Sequence, residues 1–323
     1  MREKEGMTNI NEQQKNPYQN IEEDEIDLRE LWNVIWSGKW TIVAVTFLFA
    51  VASVTYAVLQ PNLYKAEVLL APSSGDGNKM GQMAGLAAMA GISVGGGGEA
   101  DKSQLALATL TTRDFLTRFI NRHNLTVPVF AGKKWDRESG ELELDADIYD
   151  SQSKKWLREV KAPKKPEPSD WEKYKKFFPI LSVSEDKKSG LITLSVEFLS
   201  PILAKHWVDL VVKDINKQFQ DQDINKATKN INYLTQKLEQ TSITDMQNVF
   251  FSLIEEQMKN KMLAKLDEEY VFKVIDPAVV AEEKSKPKRA LIAVVGTITG
   301  GMLGIFLVFI LNFSKSEEEN ETV

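Results

Sequence analysis

The most suggestive acidic pair in the sequence is Glu255–Glu256, two adjacent carboxylates of the type that general acid–base catalysis uses. Adjacent side chains on a helix point about 100° apart, so these carboxylates would not converge on one substrate atom. We interpret the pair as solvated or as part of a contact between subunits. The spacing of the serine, histidine and aspartate residues suggests no catalytic set, and we predict no catalytic residue.

The residue types that hold metals and cofactors are scarce. The chain has no cysteine, which excludes disulfides, zinc–thiolate sites and cysteine nucleophiles. Its only histidines are His123 and His206, and it has no HExxH motif. No GxxxxGK[ST] motif occurs, and the glycines of residues 73–98 do not have GxGxxG spacing after a strand. We therefore predict neither a metal nor a cofactor.

The charge pattern gives little indication of a polyanionic partner. The net charge is −6, which argues against a nucleic-acid-binding surface. Lys154–Lys155 and Lys173–Lys176 are short basic runs, most simply interpreted as solvated faces. The alternative is that they contact an anionic glycan weakly.

Two apolar segments stand 230 residues apart and would position everything between them. Trp40–Leu59 has twenty residues without a charge, and Ala290–Phe313 has 24. A helix of the second length covers about 36 Å, enough to cross the ~30 Å hydrocarbon core of a bilayer. A cleaved signal peptide is the alternative for the first segment, but the 39 residues before it are acidic rather than short and basic. We favour an uncleaved anchor.

Three glycines recur every four residues in the second apolar segment, at Gly296, Gly300 and Gly304. They would share one helix face, which would let another helix approach closely. The alternative is that glycine is simply common in membrane helices. We predict that these three residues serve transmembrane helix packing.

Two spans put both termini on one side of the membrane and residues 60–289 on the other. Arg29 and Lys39 favour a cytoplasmic N-terminus, whereas Lys284 and Lys286 to Arg289 favour the opposite orientation. Because the positive-inside rule weakens for long translocated loops, charge alone leaves the orientation open.

The large loop has mixed helix and strand patterns. A strand is predicted from Tyr64, a mobile glycine-rich loop over residues 73–98, and one helix over Lys102–His123. Ser169 would cap a short helix through Phe178, and a β-hairpin would turn around residues 186–190.

The longest uninterrupted stretch is residues 202–276, 75 residues without glycine or proline. Spacings of three and four from Ile224 to Leu238 are typical of a coiled-coil seam, after a phase break near residues 220–222. Residues 240–245 are the best break, and Asp245 or Thr244 could cap a second helix to about Leu266. The sequence thus predicts a projecting helical hairpin, followed by a last strand over residues 270–275.

Taken together, several motifs resemble the chain-length determinant (Wzz) family of polysaccharide co-polymerases. The resemblance covers roughly residues 24–313. The segments that carry it are Glu25–Trp32, Trp36–Trp40, the strand from Tyr64, Ser189–Ser195, Ser200–Asp209, Leu253–Met258, Met262–Ala264, Glu269–Ala278 and Lys286–Ile292. The family usually places several prolines before its last span, whereas this chain has only Pro277 and Pro287 as a membrane-proximal lead-in.

The resemblance implies an α+β periplasmic domain with a long projecting helix or helical hairpin, anchored in the inner membrane by two transmembrane helices. It implies cytoplasmic segments at 1–39 and 314–323, spans at 40–59 and 290–313, and a periplasmic domain at 60–289. Within that domain, the base would comprise 60–201 and 267–289, and the helical projection 202–266.

The function that the resemblance implies is non-enzymatic regulation of the modal chain length of O-antigen lipopolysaccharide. The partners would be a ring of identical subunits, a membrane O-antigen polymerase and the growing lipid-linked polysaccharide, with no nucleic acid. The alternative is a membrane adaptor for capsule or exopolysaccharide polymerisation and export, paired with a separate tyrosine kinase. Only ten residues follow the second span, so we expect no ATP-binding domain in this chain.

Overall fold

A computed structural model of the protein describes residues 28–73 and 100–321. The predicted glycine-rich loop at 73–98, apart from Ser73, and the first 27 residues lie outside the described part. The chain divides into two compact units. We call them the helical unit (described residues 28–56 and 290–321) and the α+β unit (residues 57–289).

The helical unit contains α1 (Leu28–Ser37), α2 (Lys39–Leu59) and α9 (Arg289–Glu321). Two stretches, Lys39–Leu59 and Arg289–Asn312, are long and apolar enough to cross a membrane. Their bounds agree within one residue with the apolar segments of the sequence. Both helices follow directly from runs of apolar residues without an internal charge.

The α+β unit is built on one antiparallel sheet of four strands. Its strands are β1 (Tyr64–Pro72), β6 (Leu181–Glu185), β7 (Ile192–Phe198) and β8 (Phe272–Asp276). Alternate β1 residues Ala66, Val68 and Leu70 are buried, as expected for a strand with one face towards the core. The strand order is β6-β7-β1-β8, so β1 pairs with β7 from the middle of the chain and with β8 from near its end.

Several helices share one hydrophobic core with the buried face of this sheet. They are α3 (Ala100–Leu110), α4 (Arg113–Arg122), α5 (Thr126–Ala131), α6 (Asp170–Phe177) and α7 (Pro201–Glu239). The Trp207 indole of α7 is 1% exposed and packs between Phe177 and Phe198, with ring centroids 5.8 and 4.4 Å away. This aromatic cluster joins α6, α7 and β7 in one core.

The structure contains the predicted cap at Ser169 and the predicted turn around residues 186–190. Ser169 and Glu172 form a reciprocal capping box at the start of α6, which confirms the predicted cap. The hairpin of β6 and β7 is also confirmed, and Gly190 in its turn has φ +70°.

Two helix predictions were wrong in detail. Residues 102–123 form two helices rather than one, because the Thr112 hydroxyl accepts a hydrogen bond from the Phe115 amide and starts α4 there. The second helix of the hairpin, α8 (Thr244–Leu266), begins after Ile243 without a side-chain cap, so neither Asp245 nor Thr244 has the predicted role.

Residues 127–161 show little periodicity because they form only short elements. Two small hairpins, β2 (Gly132–Trp135) with β3 (Leu142–Leu144) and β4 (Tyr149–Asp150) with β5 (Lys155–Trp156), follow α5. Strands of two to four residues are too short to give a readable alternation.

α7 and α8 pack as an antiparallel pair, and α7 is continuous through the predicted phase break at residues 220–222. Its first five turns are part of the core, since Val208, Val211, Ile215 and Phe219 are all buried. Beyond Gln220, Ala227 is the buried α7 residue, and most of the rest are exposed or half-buried. The division of the domain at residue 202 stays a prediction, and burial indicates that the hairpin leaves the core near Gln220.

Candidate functional site

The predicted packing glycines lie against α2 in the helical unit. A Cβ added to Gly300 would lie 2.5 Å from the Phe49 Cβ, and one added to Gly304 would lie 3.1 Å from the Ile42 Cα. A Cβ on Gly296 would collide with the Ser53 side chain. The structure therefore places this face against the other apolar helix of the same chain, and its role in assembly stays a prediction.

The two lead-in prolines have different surroundings. Pro287 is buried, next to Lys286, whose carbonyl oxygen accepts a hydrogen bond from the Leu63 amide at 2.9 Å. Pro277 is exposed directly after β8. Their role as a lead-in to the membrane stays a prediction.

The remaining chemical candidates from the sequence do not assemble into a site. Glu255 and Glu256 are both exposed on α8, and His123 Nε2 lies 3.0 Å from Asp214 Oδ2. Within residues 28–73 and 100–321, no group of three or more His, Asp or Glu side chains could hold a metal ion.

The structure instead reveals a polar cavity of about 600 Å³ where α3, α7 and α8 meet, which we call the hairpin cavity. Its walls are mostly polar, and they include a cluster of three side chains from distant parts of the sequence. Residues lining the hairpin cavity are Ser73, Lys102, Ser103, Asp223, Lys226, Ala227, Asn230, Gln257, Asn260, Leu263, Ala264, Asp267, Tyr270 and Val271.

The cluster consists of Lys102, Asp223 and Tyr270. The Lys102 ammonium lies 2.8 Å from Asp223 Oδ2, and the Tyr270 hydroxyl donates to the same oxygen at 2.5 Å. Lys102 also lies over the Tyr270 ring, 4.7 Å from its centroid. One carboxylate oxygen thus ties α3, α7 and the segment after α8 together.

The electrostatics of the cluster favour its charged form at neutral pH. Burial alone would raise the pKa of Asp223, but the hydrogen bonds from Lys102 and Tyr270 outweigh it, so the pKa lies below its ordinary value. Burial opposes the charge on Lys102, yet the Asp223 partner raises the Lys102 pKa. Burial and the hydrogen bond to Asp223 both raise the pKa of Tyr270, which keeps its proton.

The wall of the cavity is lined by amides. Asn230 Nδ2 donates to Gln257 Oε1 at 3.1 Å across the two hairpin helices, and Asn260 and Lys226 lie beside them. The buried small residues Ala227 and Ala264 also line this space. Their short side chains leave the gap between α7 and α8 unfilled. Small residues next to paired amides explain why a polar cavity forms here.

Gln220 of α7 binds the backbone of two residues that line the cavity, Ala264 and Asp267. Its amide donates to the Ala264 and Asp267 carbonyl oxygens at 2.9 and 2.8 Å. These carbonyls belong to the end of α8, where helix geometry leaves acceptors without partners. A single buried glutamine thus holds the end of α8 against α7.

The donor set is suited to hydrogen bonding rather than to bond breaking. Amides, two ammonium groups and a phenol present donors and acceptors, the groups that recognise the hydroxyls of a saccharide. Two carboxylates, Asp223 and Asp267, line the cavity. Asp223 is held charged by a direct ammonium partner and lacks the raised pKa of a general acid.

Sequence reasoning did not single out the cluster. Lys102 and Asp223 are 121 residues apart, and Asp223 and Tyr270 are 47 apart, so no local spacing joins them. The one signal was Tyr270, which lies in the motif at residues 269–278.

Two family models match the chain. Residues 24–123 match Wzz, the chain length determinant protein, and residues 242–313 match GNVR, described as "G-rich domain on putative tyrosine kinase". The first match holds α1 to α4 and Lys102, and the second holds α8, β8 and Tyr270. No curated protein matches the chain.

The chain is also similar to solved structures of polysaccharide co-polymerases. A full-length bacterial polysaccharide co-polymerase is 13% identical, with 91% of this chain and 99% of that chain covered and a TM-score of 0.37. A fragment of WzzB, a polysaccharide co-polymerase from Salmonella Typhimurium, is 11% identical, with 70% of this chain and 100% of that chain covered and a TM-score of 0.29.

The family model thus falls on the part of the chain where the N-terminal motifs, from Glu25 to the strand at Tyr64, are found. Residues 24–123 thus match the model of the family that the sequence motifs resemble, the Wzz chain length determinant proteins.

Proposed function

We propose that this protein is a non-enzymatic polysaccharide co-polymerase that sets the modal chain length of O-antigen lipopolysaccharide. The observation that carries the proposal is the match of residues 24–123 to the chain length determinant family. The two apolar helices that flank the α+β unit support it, since they suit a domain held at a membrane.

The proposed arrangement in the cell has both termini in the cytoplasm and residues 60–289 in the periplasm, with α2 and α9 in the inner membrane. The partners are a membrane O-antigen polymerase and the growing lipid-linked polysaccharide. In this arrangement the hairpin cavity faces the compartment in which the chain grows.

The proposed mechanism is weak binding at many identical sites. Each subunit presents the amides of Asn230, Gln257 and Asn260 to saccharide hydroxyls, and a ring of subunits repeats that surface. Linked weak sites retain a long chain far better than one site does, without a deep pocket. A longer glycan therefore engages more subunits, and its retention depends on its length.

The exposed apolar side chains of α8 support the ring. Phe251, Met258 and Met262, at spacings of seven and four, share one helix face and are 58%, 50% and 65% exposed. An apolar stripe on an extended hairpin suits a contact with a second copy of the chain. We propose this stripe as the subunit contact of the ring.

The experiment that tests the function is the lipopolysaccharide ladder on a gel, with the gene deleted and then restored. We expect a clustered band of long chains that becomes a smooth decay on deletion and returns on complementation. An unchanged ladder in both strains would contradict the O-antigen assignment.

A second candidate is supported by the GNVR match at residues 242–313, because that model describes a domain found on tyrosine kinases. In this alternative the chain is a membrane adaptor for capsule or exopolysaccharide export, paired with a separate kinase. Loss of capsular polymer with an unchanged lipopolysaccharide ladder would favour the adaptor.

A further inference from the structure

A second cavity, of about 440 Å³, lies in the α+β unit where the chain leaves α2 and where it enters α9. We call it the junction cavity. Leu59, the last residue of α2, and Arg289, the first residue of α9, both line it. The residues at which the two apolar helices end are thus part of the cavity wall.

The junction cavity is cationic. Lys133 and Lys134 of β2 and Arg289 line it, against the single carboxylate of Glu143. Both lysines are exposed, and among the described residues no carboxylate lies within 4 Å of either ammonium. Two cations at the cavity wall are therefore not engaged in ion pairs there.

A β-bulge explains why two consecutive lysines share one cavity. Along a regular strand, adjacent side chains point to opposite faces. The β2–β3 register shifts between Gly132 and Lys134, which gives β2 one extra residue at Lys133. Such bulges redirect side chains, and here both lysines line the same space.

Two further residues of the cavity wall are Arg289, which hydrogen bonds hold in place, and Trp135, which has a donor without a partner among the described residues. The Arg289 guanidinium donates to the Ala57 carbonyl oxygen in the last turn of α2 and to Asn62 Oδ1, both at 3.1 Å. Trp135 packs edge-on against Tyr64 at 5.3 Å, and its buried Nε1 has no hydrogen-bond partner among the described residues. A buried donor without an acceptor is unusual in a folded protein.

We propose that the junction cavity binds the phosphate of an anionic lipid headgroup. Lysine ammoniums and an arginine held at the end of an apolar helix are the groups that recognise such a phosphate at a membrane surface. The lipid is favoured over free phosphate because Leu59 and the exposed Val58 present apolar surface at the same cavity, beside the cations. The proposal rests on the membrane-spanning role of α2 and α9 and not on control of O-antigen length.

The test uses the purified full-length protein in a non-ionic detergent. Native mass spectrometry would count bound dioctanoyl-phosphatidylglycerol, with dioctanoyl-phosphatidylcholine and inorganic phosphate as parallel probes. We expect wild type to retain phosphatidylglycerol. The double variant Lys133→Gln, Lys134→Gln should bind this lipid at least about tenfold more weakly, because each lysine near a lipid surface adds to the attraction for an anionic headgroup.

Two matched variants separate charge at this site from folding and from total charge. Lys133→Arg with Lys134→Arg should keep the binding, because the charges remain. Lys187→Gln with Lys188→Gln removes the same charge from the exposed β6–β7 turn and should bind like wild type. Circular dichroism would verify that all variants are folded.

Three outcomes would overturn the proposal. The first is equal phosphatidylglycerol retention by wild type and the glutamine variant at 133 and 134. The second is equal retention of phosphatidylcholine, and the third is displacement of the lipid by millimolar inorganic phosphate, which would identify a free-anion site. The lipopolysaccharide ladder is a separate measurement, so failure here does not resemble failure of the chain-length function.

Discussion

Asp223 is the residue on which the described interactions of the hairpin cavity converge. It accepts from both Lys102 and Tyr270 through one oxygen, and its side chain is 36% exposed. Partial exposure weakens the ion pair, since solvent screens it, but two charge-assisted bonds at one atom still favour one arrangement. The cluster therefore contributes more to order at the cavity than to total stability.

Asp223→Asn should lower the free energy of unfolding by about 1 kcal/mol, because Lys102 loses its counter-charge while partly buried. Thermal unfolding followed by circular dichroism would measure the change. The matched control is Asp221→Asn, two residues away on α7, which removes the exposed pair with Lys217 and should cost less than about 0.5 kcal/mol. Equal effects of the two variants would contradict a special role for Asp223.

Glu172 provides the pH prediction. A hydrogen bond from the Ser169 amide lowers the Glu172 pKa from 4.5 to about 2. Burial opposes this shift, and Arg158 adds to it. A lowered native pKa adds stability that is complete above 4.5 and is lost as the pH falls through about 2. Arg158→Gln should move this loss to higher pH, measured as the melting temperature between pH 5 and 2. In Glu172→Gln this part of the pH dependence should disappear, and its persistence would contradict the assignment.

At the scale of elements, the contact between α2 and α9 is set by small residues. As the chain advances from Gly296 to Gly304, the opposed residue retreats from Ser53 to Ile42, so the two helices run antiparallel. Close approach of this kind depends on van der Waals contact, because lipid offers no hydrophobic gain for helix association. A larger side chain at one of these glycine positions must therefore push α2 and α9 apart.

Gly300→Leu should disrupt this contact and impair assembly or chain-length control. A Cβ there would meet Phe49 at 2.5 Å, whereas on the neighbouring Gly301 the nearest atom is Thr46 Oγ1 at 3.8 Å. Gly301→Leu is thus the matched control and should behave nearly as wild type. The measurements are thermal stability in detergent and the lipopolysaccharide ladder. An unchanged ladder with Gly300→Leu would count against the glycine prediction.

At the scale of the whole molecule, α7 links the core to the hairpin. Its first half is buried with the sheet, and its second half pairs with α8 and leaves apolar side chains exposed. A hairpin of this kind offers little core of its own, so contacts with further copies of the chain would stabilise it. Assembly is accordingly expected to depend on the outer face of α8.

Met258→Glu with Met262→Glu should shift the purified protein to smaller assemblies, because two buried carboxylates would oppose the subunit contact. Light scattering after size-exclusion chromatography in detergent would measure the mass. Asn232→Glu with Gln236→Glu adds the same charge to exposed α7 positions four residues apart and should leave the mass unchanged. If wild type were monomeric at every concentration, the ring itself would be excluded.

The sequence by itself determined the features whose signals are local. Apolar runs predicted α2 and α9, the cap at Ser169 predicted α6, and alternation on both sides of residues 186–190 predicted the β6–β7 hairpin. The helix over residues 201–239 was also predicted, because helical periodicity is a property of neighbours in the chain, whereas the coiled-coil seam from Ile224 to Leu238 stays a prediction. The division of residues 102–123 was missed, since one threonine cap is a weak signal inside an apolar pattern.

Only the tertiary structure decided which distant residues meet. β1 lies between β7 and β8, and Lys102, Asp223 and Tyr270 converge, through pairings that span dozens to more than a hundred residues. The bulge at Lys133 that aligns two lysines in the junction cavity also depends on the partner strand. Such contacts follow from how buried faces pack together, and sequence spacing carries no record of that packing.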